Sequence, residues 1–350
     1  MDAPTPFRIE PIFTPRIWGA RSLAPIYPQK SHLAEPIGEA WLTGLECKIA
    51  NGPYRGESLG ESWRLMPAEW RGFSLTAYRD FPVLTKFIFP NDKLSIQVHP
   101  DDVFASKYEE AAGGRGKTEM WHIVSAQPGA ELLVGLKPGT TKPQFVEAVQ
   151  QGTVEDLFIR HPVRTGDTFF VPAGTQHAIF PGVIVCEVQE YSDLTYRVYD
   201  YGRLDSSGKP RELHIEKALQ VTNFSGTQGG KVMPLALHSP DANKHLLAAC
   251  DFFSTELWEC HKTTPIESDP AHFQLLVILQ GNGKLHDSDF SFDYQVGESW
   301  FLPASLPPML LQPANSTSLL RIIIPDRAEL HQQLRKLGFD EAVLSRVLMG

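Results

Sequence analysis

An internal repeat is the feature of this sequence that most restricts its fold. The segment GDTFFVPAGTQHAI, residues 166–179, aligns with GESWFLPASLPPML, residues 297–310. Both copies begin with glycine, an acid, a hydroxyl residue, an aromatic residue and phenylalanine, and then continue with an aliphatic residue, proline and alanine. Glycine turns that alternate with β-branched and aromatic residues are typical of short strands. The repeat therefore predicts two similar β units in one chain.

Length and composition agree with two mainly β units. A chain of 350 residues exceeds the size at which one hydrophobic core usually keeps growing. Its 28 prolines and 27 glycines indicate many turns and short strands. The predicted fold class is mainly β, with two similar β units, short helical insertions and a helical C-terminal tail.

The chain divides into three predicted parts. Residues 1–230 would form the N-terminal strands and a catalytic unit with helical insertions at about 101–112 and 143–160. Residues 231–325 would form a degenerate second unit. Residues 326–350 would form two short helices capped at Asp326 and Asp340, with Leu330, Leu334 and Leu337 on one packing face.

Charge and targeting signals exclude several classes of protein. The formal charge is −9 and no basic run occurs, which disfavours nucleic-acid binding. The N-terminus lacks a basic stretch followed by an apolar one, and no run of about 18 apolar residues occurs. The four cysteines are far apart and lack the C-x-x-C spacing of a zinc ribbon. They are expected to be reduced and mostly buried. These features predict a cytoplasmic protein.

Four polar residues form a candidate metal site. In LSIQVHPDD, residues 94–102, Gln97 and His99 alternate with apolar residues and share one face of a strand. Glu119 begins another strand and His177 follows a glycine turn. Two imidazoles, a carboxylate and an amide oxygen suit zinc or a similar first-row ion. The second copy has Pro308 in place of His177, so the metal is expected in the first unit alone.

Several motifs in register resemble a known family. They are LSIQVHPDD, GKTEMWHIV (residues 116–124), GDTFFVPAGTQHAI and SDLTYRVYDYGR (residues 192–203), together with RIWGA, IGEAW and NGPYRGESL nearer the N-terminus. In this order they resemble the short bacterial form of the type I mannose-6-phosphate isomerases of the cupin superfamily. The resemblance covers roughly residues 7–325. It implies that both β units are cupin-like β-barrels (jelly rolls), the second of which lacks metal ligands.

The resemblance implies a role for individual residues. It assigns one zinc ion per chain to Gln97, His99, Glu119 and His177. It places Lys117 and Arg197 in a sugar-phosphate pocket, and it implies interconversion of mannose 6-phosphate and fructose 6-phosphate. For the phosphate, Arg203, Lys86 and Lys93 are further candidates beside Lys117. Lys86 and Lys93 have an alternative interpretation as solvated strand ends.

Isomerisation through an enediol explains why such residues are needed. A divalent ion can stabilise the negative charge that develops on the enediol oxygens. Arg197 would add a permanently protonated donor beside that charge, unless it only pairs with Asp193 or Asp200. The sequence does not identify the general base, for which a metal-bound water, Glu190 or a histidine remain open.

Two other functions remain open at this point. Two histidines and one carboxylate are also the ligands of iron-dependent oxygenases, so an iron-dependent cupin oxygenase is one alternative. A non-catalytic sugar-phosphate-binding cupin is the other. The expected partner is a small-molecule sugar phosphate, with no nucleic acid and no membrane, and the chain is expected to be a monomer or a homodimer.

Overall fold

The computed structural model describes residues 4–205, 207–225 and 229–349. The predicted first part and tail also include residues 1–3, 206, 226–228 and 350, which lie outside the described residues. The described chain is mainly β, as predicted.

The strands up to residue 231 are β1 (Phe7–Ile9), β2 (Ile12–Ala20), β3 (Ile37–Trp41), β4 (Val83–Ile88), β5 (Ile96–Val98), β6 (Glu119–Ala126), β7 (Glu131–Leu136), β8 (Phe158–Pro162), β9 (Thr168–Val171), β10 (His177–Ile179), β11 (Val183–Glu190), β12 (Tyr196–Tyr199) and β13 (Gly230–Lys231). The later strands are β14 (Leu235–Leu237), β15 (Asn243–Ala249), β16 (Ser254–Cys260), β17 (Thr264–Ile266), β18 (Gln274–Gln280), β19 (Asn282–His286), β20 (Ser291–Gln295), β21 (Ser299–Leu302), β22 (Met309–Pro313) and β23 (Thr317–Ile323).

The α-helices are α1 (Leu59–Leu65), α2 (Ala68–Arg71), α3 (Asp102–Tyr108), α4 (Lys142–Gln151), α5 (Ile215–Val221), α6 (Arg327–Lys336) and α7 (Glu341–Leu344). Short 3₁₀ turns occupy Pro28–Lys30, Phe73–Leu75, Glu110–Ala112 and Val154–Leu157.

The larger sheets of the two β units have the same strand order apart from one edge strand, β13 in the first and β1 in the second. The seven-stranded sheet of the first unit runs β13-β9-β6-β11-β4-β3-β2, and that of the second runs β1-β21-β18-β23-β16-β15-β14. A five-stranded sheet, β12-β5-β10-β7-β8, belongs to the first unit, and a four-stranded sheet, β17-β22-β19-β20, belongs to the second. The repeated segments form β9 and β21 in matching positions, which confirms the duplication. Strand β1 lies in the sheet of the second unit, although it belongs to the predicted first part of the chain. The boundaries proposed at residues 230/231 and 325/326 stay predictions.

The main core lies between the two seven-stranded sheets. Phe170 and Phe301 occupy equivalent positions in the repeat, and both are buried in this core. The Phe301 ring stacks on Phe7 at 4.6 Å and on Phe273 at 4.8 Å between centroids. Phe301 also lies 6.3 Å from Phe81, and Phe170 lies 6.4 Å from Phe253, between ring centroids, so the repeated phenylalanine joins the two units.

Smaller cores lie inside each unit. In the first unit, side chains of the seven-stranded and five-stranded sheets pack together, among them Trp121, Val134 and Phe169. The outer face of the five-stranded sheet is covered by helices, because Phe145 of α4 and Ala218 of α5 share its cluster. The five-stranded sheet is therefore buried on both faces, which gives its inner face a rigid support.

The helical insertions agree only in part with the prediction. Asp101 caps α3 by accepting a hydrogen bond from the backbone N–H of Phe104, and Gly152 ends α4 in the left-handed conformation at φ 72°. The helix predicted to reach about residue 160 is wrong, because only Val154–Leu157 form a 3₁₀ turn and the chain then enters β8. Phe158 is fully buried there, so tertiary packing favours the strand.

The tail forms the two predicted helices. Asp326 and Asp340 cap α6 and α7 through their side chains. Leu334, Leu344 and Val347 join the main core. The predicted leucine face is wrong at Leu337, which is 69% exposed because it follows the last residue of α6.

Two further expectations concern the thiols and the membrane. Cys47, Cys186, Cys250 and Cys260 are all free and buried, as predicted. None of the helices in the described ranges has the length and apolarity needed to cross a bilayer.

We expect Phe301→Ala to lower the free energy of unfolding by about 3–5 kcal/mol, because it leaves a cavity where the two units meet. Urea unfolding followed by fluorescence measures this change. Leu337→Ala is the matched control, since an exposed leucine should change stability by less than about 0.5 kcal/mol. Equal effects of the two substitutions would contradict the assignment of Phe301 to the main core.

Candidate metal centre

Strand pairing aligns three of the predicted site residues in one row. His177 of β10 lies opposite Gln97 of β5, and Gln97 lies opposite Arg197 of β12. Side chains directly opposite one another on neighbouring strands point to the same face of a sheet. The row therefore runs across the inner face of the five-stranded sheet.

Glu119 reaches the same place from the seven-stranded sheet. It begins β6, in which Trp121 and Ile123 point into the first-unit core. Because side chains alternate along a strand, Glu119 points the same way. One ligand atom from each of His99, Glu119 and His177 lies within 4.8 Å of the others, and all three residues are buried. The second unit contributes no residue to this group.

Both histidines present Nε2 to the centre of this group. Nδ1 of His99 lies 2.7 Å from the carbonyl of Leu194, and Nδ1 of His177 lies 2.9 Å from the carbonyl of Thr175. A carbonyl only accepts, so each Nδ1 carries the proton and each Nε2 keeps a lone pair. Burial lowers the pKa of His99 to about 3 and also lowers the pKa of His177, so both rings are neutral.

Lys117 keeps the Glu119 carboxylate charged. Burial alone would raise the pKa of Glu119, but Lys117 and His99 hold this pKa well below its usual range. The Lys117 Nζ lies 2.9 Å from Glu119 Oε1, and both side chains are almost fully buried. The centre therefore combines one carboxylate with two neutral imidazoles.

The donor atoms fit a divalent metal ion. Within the described residues, His99 Nε2 and both carboxylate oxygens of Glu119 are buried without a hydrogen bond. Unsatisfied buried acceptors are costly, and a cation between them would satisfy all three. Gln97 adds an amide, whose Nε2 lies 3.3 Å from His177 Nε2. A half-turn of that amide would offer Oε1 at this position as a fourth ligand atom.

A cavity of about 660 Å³ opens beside this group. Gln97, Lys117 and Trp121 lie in its wall at the metal end. Arg197 also lines the cavity. Arg203 is not part of the wall, because its guanidinium contacts Asp200, Asp92 and the carbonyl of Lys93.

A row of buried charges along the cavity was not identified from the sequence. Lys86 Nζ lies 3.0 Å from Glu187 and 3.7 Å from Glu39, and Arg16 contacts Glu39 at 2.6 Å. The interpretation of Lys86 as a solvated strand end is wrong, since its side chain is 3% exposed. A charged residue inside an apolar strand, such as Lys86 in PVLTKFIF, was the available signal.

Two more wall residues come from the loop before α5. Arg211 and His214 both line the cavity. The Nδ1 of His214 accepts a hydrogen bond from the backbone N–H of Arg197 at 3.2 Å. In the sequence, the signal for this pair was an arginine and a histidine three positions apart, directly before a helix.

Two family models match the chain. The model described as phosphomannose isomerase type I, catalytic domain, matches residues 7–121. The model described as mannose-6-phosphate isomerase, cupin domain, matches residues 242–318.

Curated relatives match along most of their length. Mannose-6-phosphate isomerase ManA of Bacillus subtilis is 32% identical over 312 residues, covering 88% of this chain and 96% of that protein. The mannose-6-phosphate isomerase of Streptococcus mutans is 32% identical, covering 83% of this chain and 90% of that protein.

Solved structures are similar as well. The crystal structure of the mannose 6-phosphate isomerase from Bacillus subtilis is 32% identical, has a TM-score of 0.83 and covers 91% of this chain and 99% of that one. The apo enzyme from Salmonella typhimurium, at 16% identity and a TM-score of 0.68, shares the fold. This chain belongs to the type I phosphomannose isomerase family.

Proposed function

We propose that this chain is a zinc-dependent aldose–ketose isomerase that interconverts mannose 6-phosphate and fructose 6-phosphate through an enediol. One zinc ion would be held by Gln97, His99, Glu119 and His177. The observation that carries this proposal is the meeting of three buried ligands at the end of a cavity lined by cationic side chains. Among the described residues, His99 and Glu119 keep lone pairs there that are free of hydrogen bonds. Membership of the family supports it.

The ligand set suits an ion that acts as a Lewis acid. When bound, zinc would stabilise the negative charge of the enediol oxygens. Glu119 is the only anionic residue among the four ligands, so the ion would keep a net positive charge. Lys117 reinforces that charge, since its ammonium lies within 2.9 Å of Glu119.

Arg197 is placed to assist at the reacting carbons. It lies beside Gln97 in the row on the five-stranded sheet. Its Nη1 donates to the carbonyl of Glu212 at 2.9 Å, while its buried Nε has no hydrogen-bond partner among the described residues. A fixed guanidinium donor of this kind stabilises charge that develops on a substrate oxygen.

Glu187 is the best-placed group to move a proton between C1 and C2. Its carboxylate lines the cavity, accepts a hydrogen bond from Trp121 Nε1 on Oε1 at 2.8 Å, and has the Lys86 ammonium 3.0 Å from Oε2. Burial and the nearby Glu119 raise the pKa of Glu187. A carboxylate with a raised pKa is a suitable general base. Glu187 thus replaces the open assignment left by the sequence.

The remaining roles stay predictions. Lys117 is proposed to contact the sugar phosphate because it lines the cavity. Arg203 is proposed to act on the substrate only through Asp200, which it contacts. Four free buried thiols support the cytoplasm as the location. The enzyme would act as a monomer or a homodimer.

Removal of metal tests the function directly. We expect chelation to abolish conversion of mannose 6-phosphate to fructose 6-phosphate, and zinc to restore it, in an assay coupled to fructose 6-phosphate with metal analysis of the same sample. Full activity in a metal-stripped sample would reject the proposal. Oxygen uptake with bound iron would identify an oxygenase instead. Binding of mannose 6-phosphate without deuterium incorporation from solvent at C1 or C2 would identify a non-catalytic binding protein.

A pair of substitutions separates metal binding from catalysis. We expect His177→Ala to lose zinc and activity together, because it removes a ligand. Arg197→Met should keep its zinc and lose turnover by a factor on the order of 10² to 10³, because it removes a donor to the developing charge. Zinc analysis and steady-state kinetics check both. Loss of zinc from the Arg197 variant would show that its position has been misassigned.

We expect Glu187→Gln to keep its zinc and to lower turnover by roughly 10² to 10⁴, because the amide cannot accept the proton. Deuterium exchange from solvent into the substrate should slow in parallel. Glu57→Gln makes the same chemical change at an exposed position and serves as the control. Unchanged exchange in the Glu187 variant would assign proton transfer to another group.

A further inference from the structure

We propose that Arg211 binds the phosphate group of the substrate, at the end of the cavity away from the metal ligands. This inference rests on the proposed function, since it identifies where the phosphate of a sugar phosphate lies. It concerns a residue in the irregular segment between β12 and α5, for which the sequence indicated no role.

Hydrogen bonds to β12 bring the loop that carries Arg211 to the cavity. The backbone N–H of His214 donates to the carbonyl of Arg197 at 2.7 Å, and the N–H of Arg197 donates to His214 Nδ1 at 3.2 Å. Arg197 Nη1 also donates to the carbonyl of Glu212. The loop therefore extends the five-stranded sheet by one more stretch of chain, and Arg211 lines the wall there.

Asp200 orients the Arg211 guanidinium. Arg211 Nε donates to Asp200 Oδ2 at 2.8 Å, and Nη2 donates to Oδ1 of the same carboxylate. This fork-like contact fixes the plane of the guanidinium. No hydrogen bond among the described residues uses Arg211 Nη1. An oriented guanidinium with a free edge in a cavity wall is suited to phosphate.

Positive charge exceeds negative charge at this end of the cavity. Asp200 is shared by Arg211 and Arg203, and Arg197 makes no ion pair within the part of the chain that the structure describes. Three other carboxylates lie nearby, those of Asp92, Asp193 and Glu212, and all three are exposed. Solvent screens exposed carboxylates, so they offset little of this charge.

At the metal end, the charges are matched. Three basic residues, Arg16, Lys86 and Lys117, each contact a carboxylate of a buried glutamate. A phosphate dianion is therefore attracted to the arginine end, where a positive charge lacks a buried partner. Repulsion between neighbouring guanidiniums is consistent with this, because burial and Arg211 lower the pKa of Arg197.

The spacing suits a hexose 6-phosphate. Neighbouring strands lie about 4.8 Å apart, so a loop two strand positions away from Gln97 lies roughly 10 Å from the metal ligands. The phosphate of the substrate sits at the opposite end of its six-carbon chain from C1 and C2. With the reacting carbons at the metal, the phosphate would extend toward Arg211.

Arg211→Gln tests the proposal in the zinc-loaded protein. We expect the KM for mannose 6-phosphate to rise by about 10- to 100-fold with turnover changed only a few-fold, because a charge-assisted contact to the non-reacting end is lost. Inorganic phosphate, used as the probe in calorimetry and as a competitive inhibitor, should lose affinity in parallel. Arg211→Lys should recover part of the affinity, since it keeps the charge without the fork.

Two controls keep the result interpretable. Arg64→Gln removes the same charge from an exposed arginine paired with Asp80 and should change neither KM nor phosphate affinity. In the Arg211→Gln variant, Asp200 still forms its ion pair with Arg203, so the thermal midpoint of unfolding should stay close to that of the parent protein.

Two results would overturn the proposal. One is an Arg211→Gln variant that binds inorganic phosphate as tightly as the parent protein. The other is a variant that loses turnover with unchanged KM and phosphate affinity. If the parent protein binds phosphate through Arg211 but isomerises no sugar phosphate, the anion site stands and the proposed function fails.

Discussion

The charged Glu119 carboxylate in a dry interior is the constraint on which the whole site depends. An unpaired buried carboxylate is unstable by several kcal/mol, so its surroundings must supply positive charge. Lys117 supplies part of it at 2.9 Å. Two neutral imidazoles, of His99 and His177, present lone pairs to the same point. These groups are compatible with one another when a cation lies among them, which is why they define a metal centre.

Sheet pairing holds these groups in place. His177 and Gln97 lie opposite one another on neighbouring strands, and Glu119 comes from the facing sheet. Helices cover the outer face of the five-stranded sheet, and the second unit packs against the seven-stranded sheet through Phe170 and Phe301. The second copy of the fold thus supports the first, which alone carries the ligands. Rigid support on both sides limits the movement of the ligand atoms.

The two ends of the cavity differ in their balance of positive and negative charge. Near the metal ligands, buried acids and bases alternate and neutralise one another, as Lys86 and Glu187 do at 3.0 Å. At the other end, Arg197 and Arg211 lie in the wall, and Arg211 pairs with the buried carboxylate of Asp200. In the proposed function, this difference would place proton transfer at one end and the phosphate dianion at the other, and so would orient the substrate.

The sequence by itself determined the mainly β class, the duplication and the candidate ligands, because alternation, glycine turns and repeats are local patterns. Helix caps such as Asp101 were predictable for the same reason, whereas β8 replaced a predicted turn of helix once Phe158 became buried. Only the tertiary structure decided that Lys86, Glu187 and Arg211 share one cavity. Their contacts depend on strand pairing and loop docking between distant segments. The periodicity of apolar residues in the sequence does not specify such pairing.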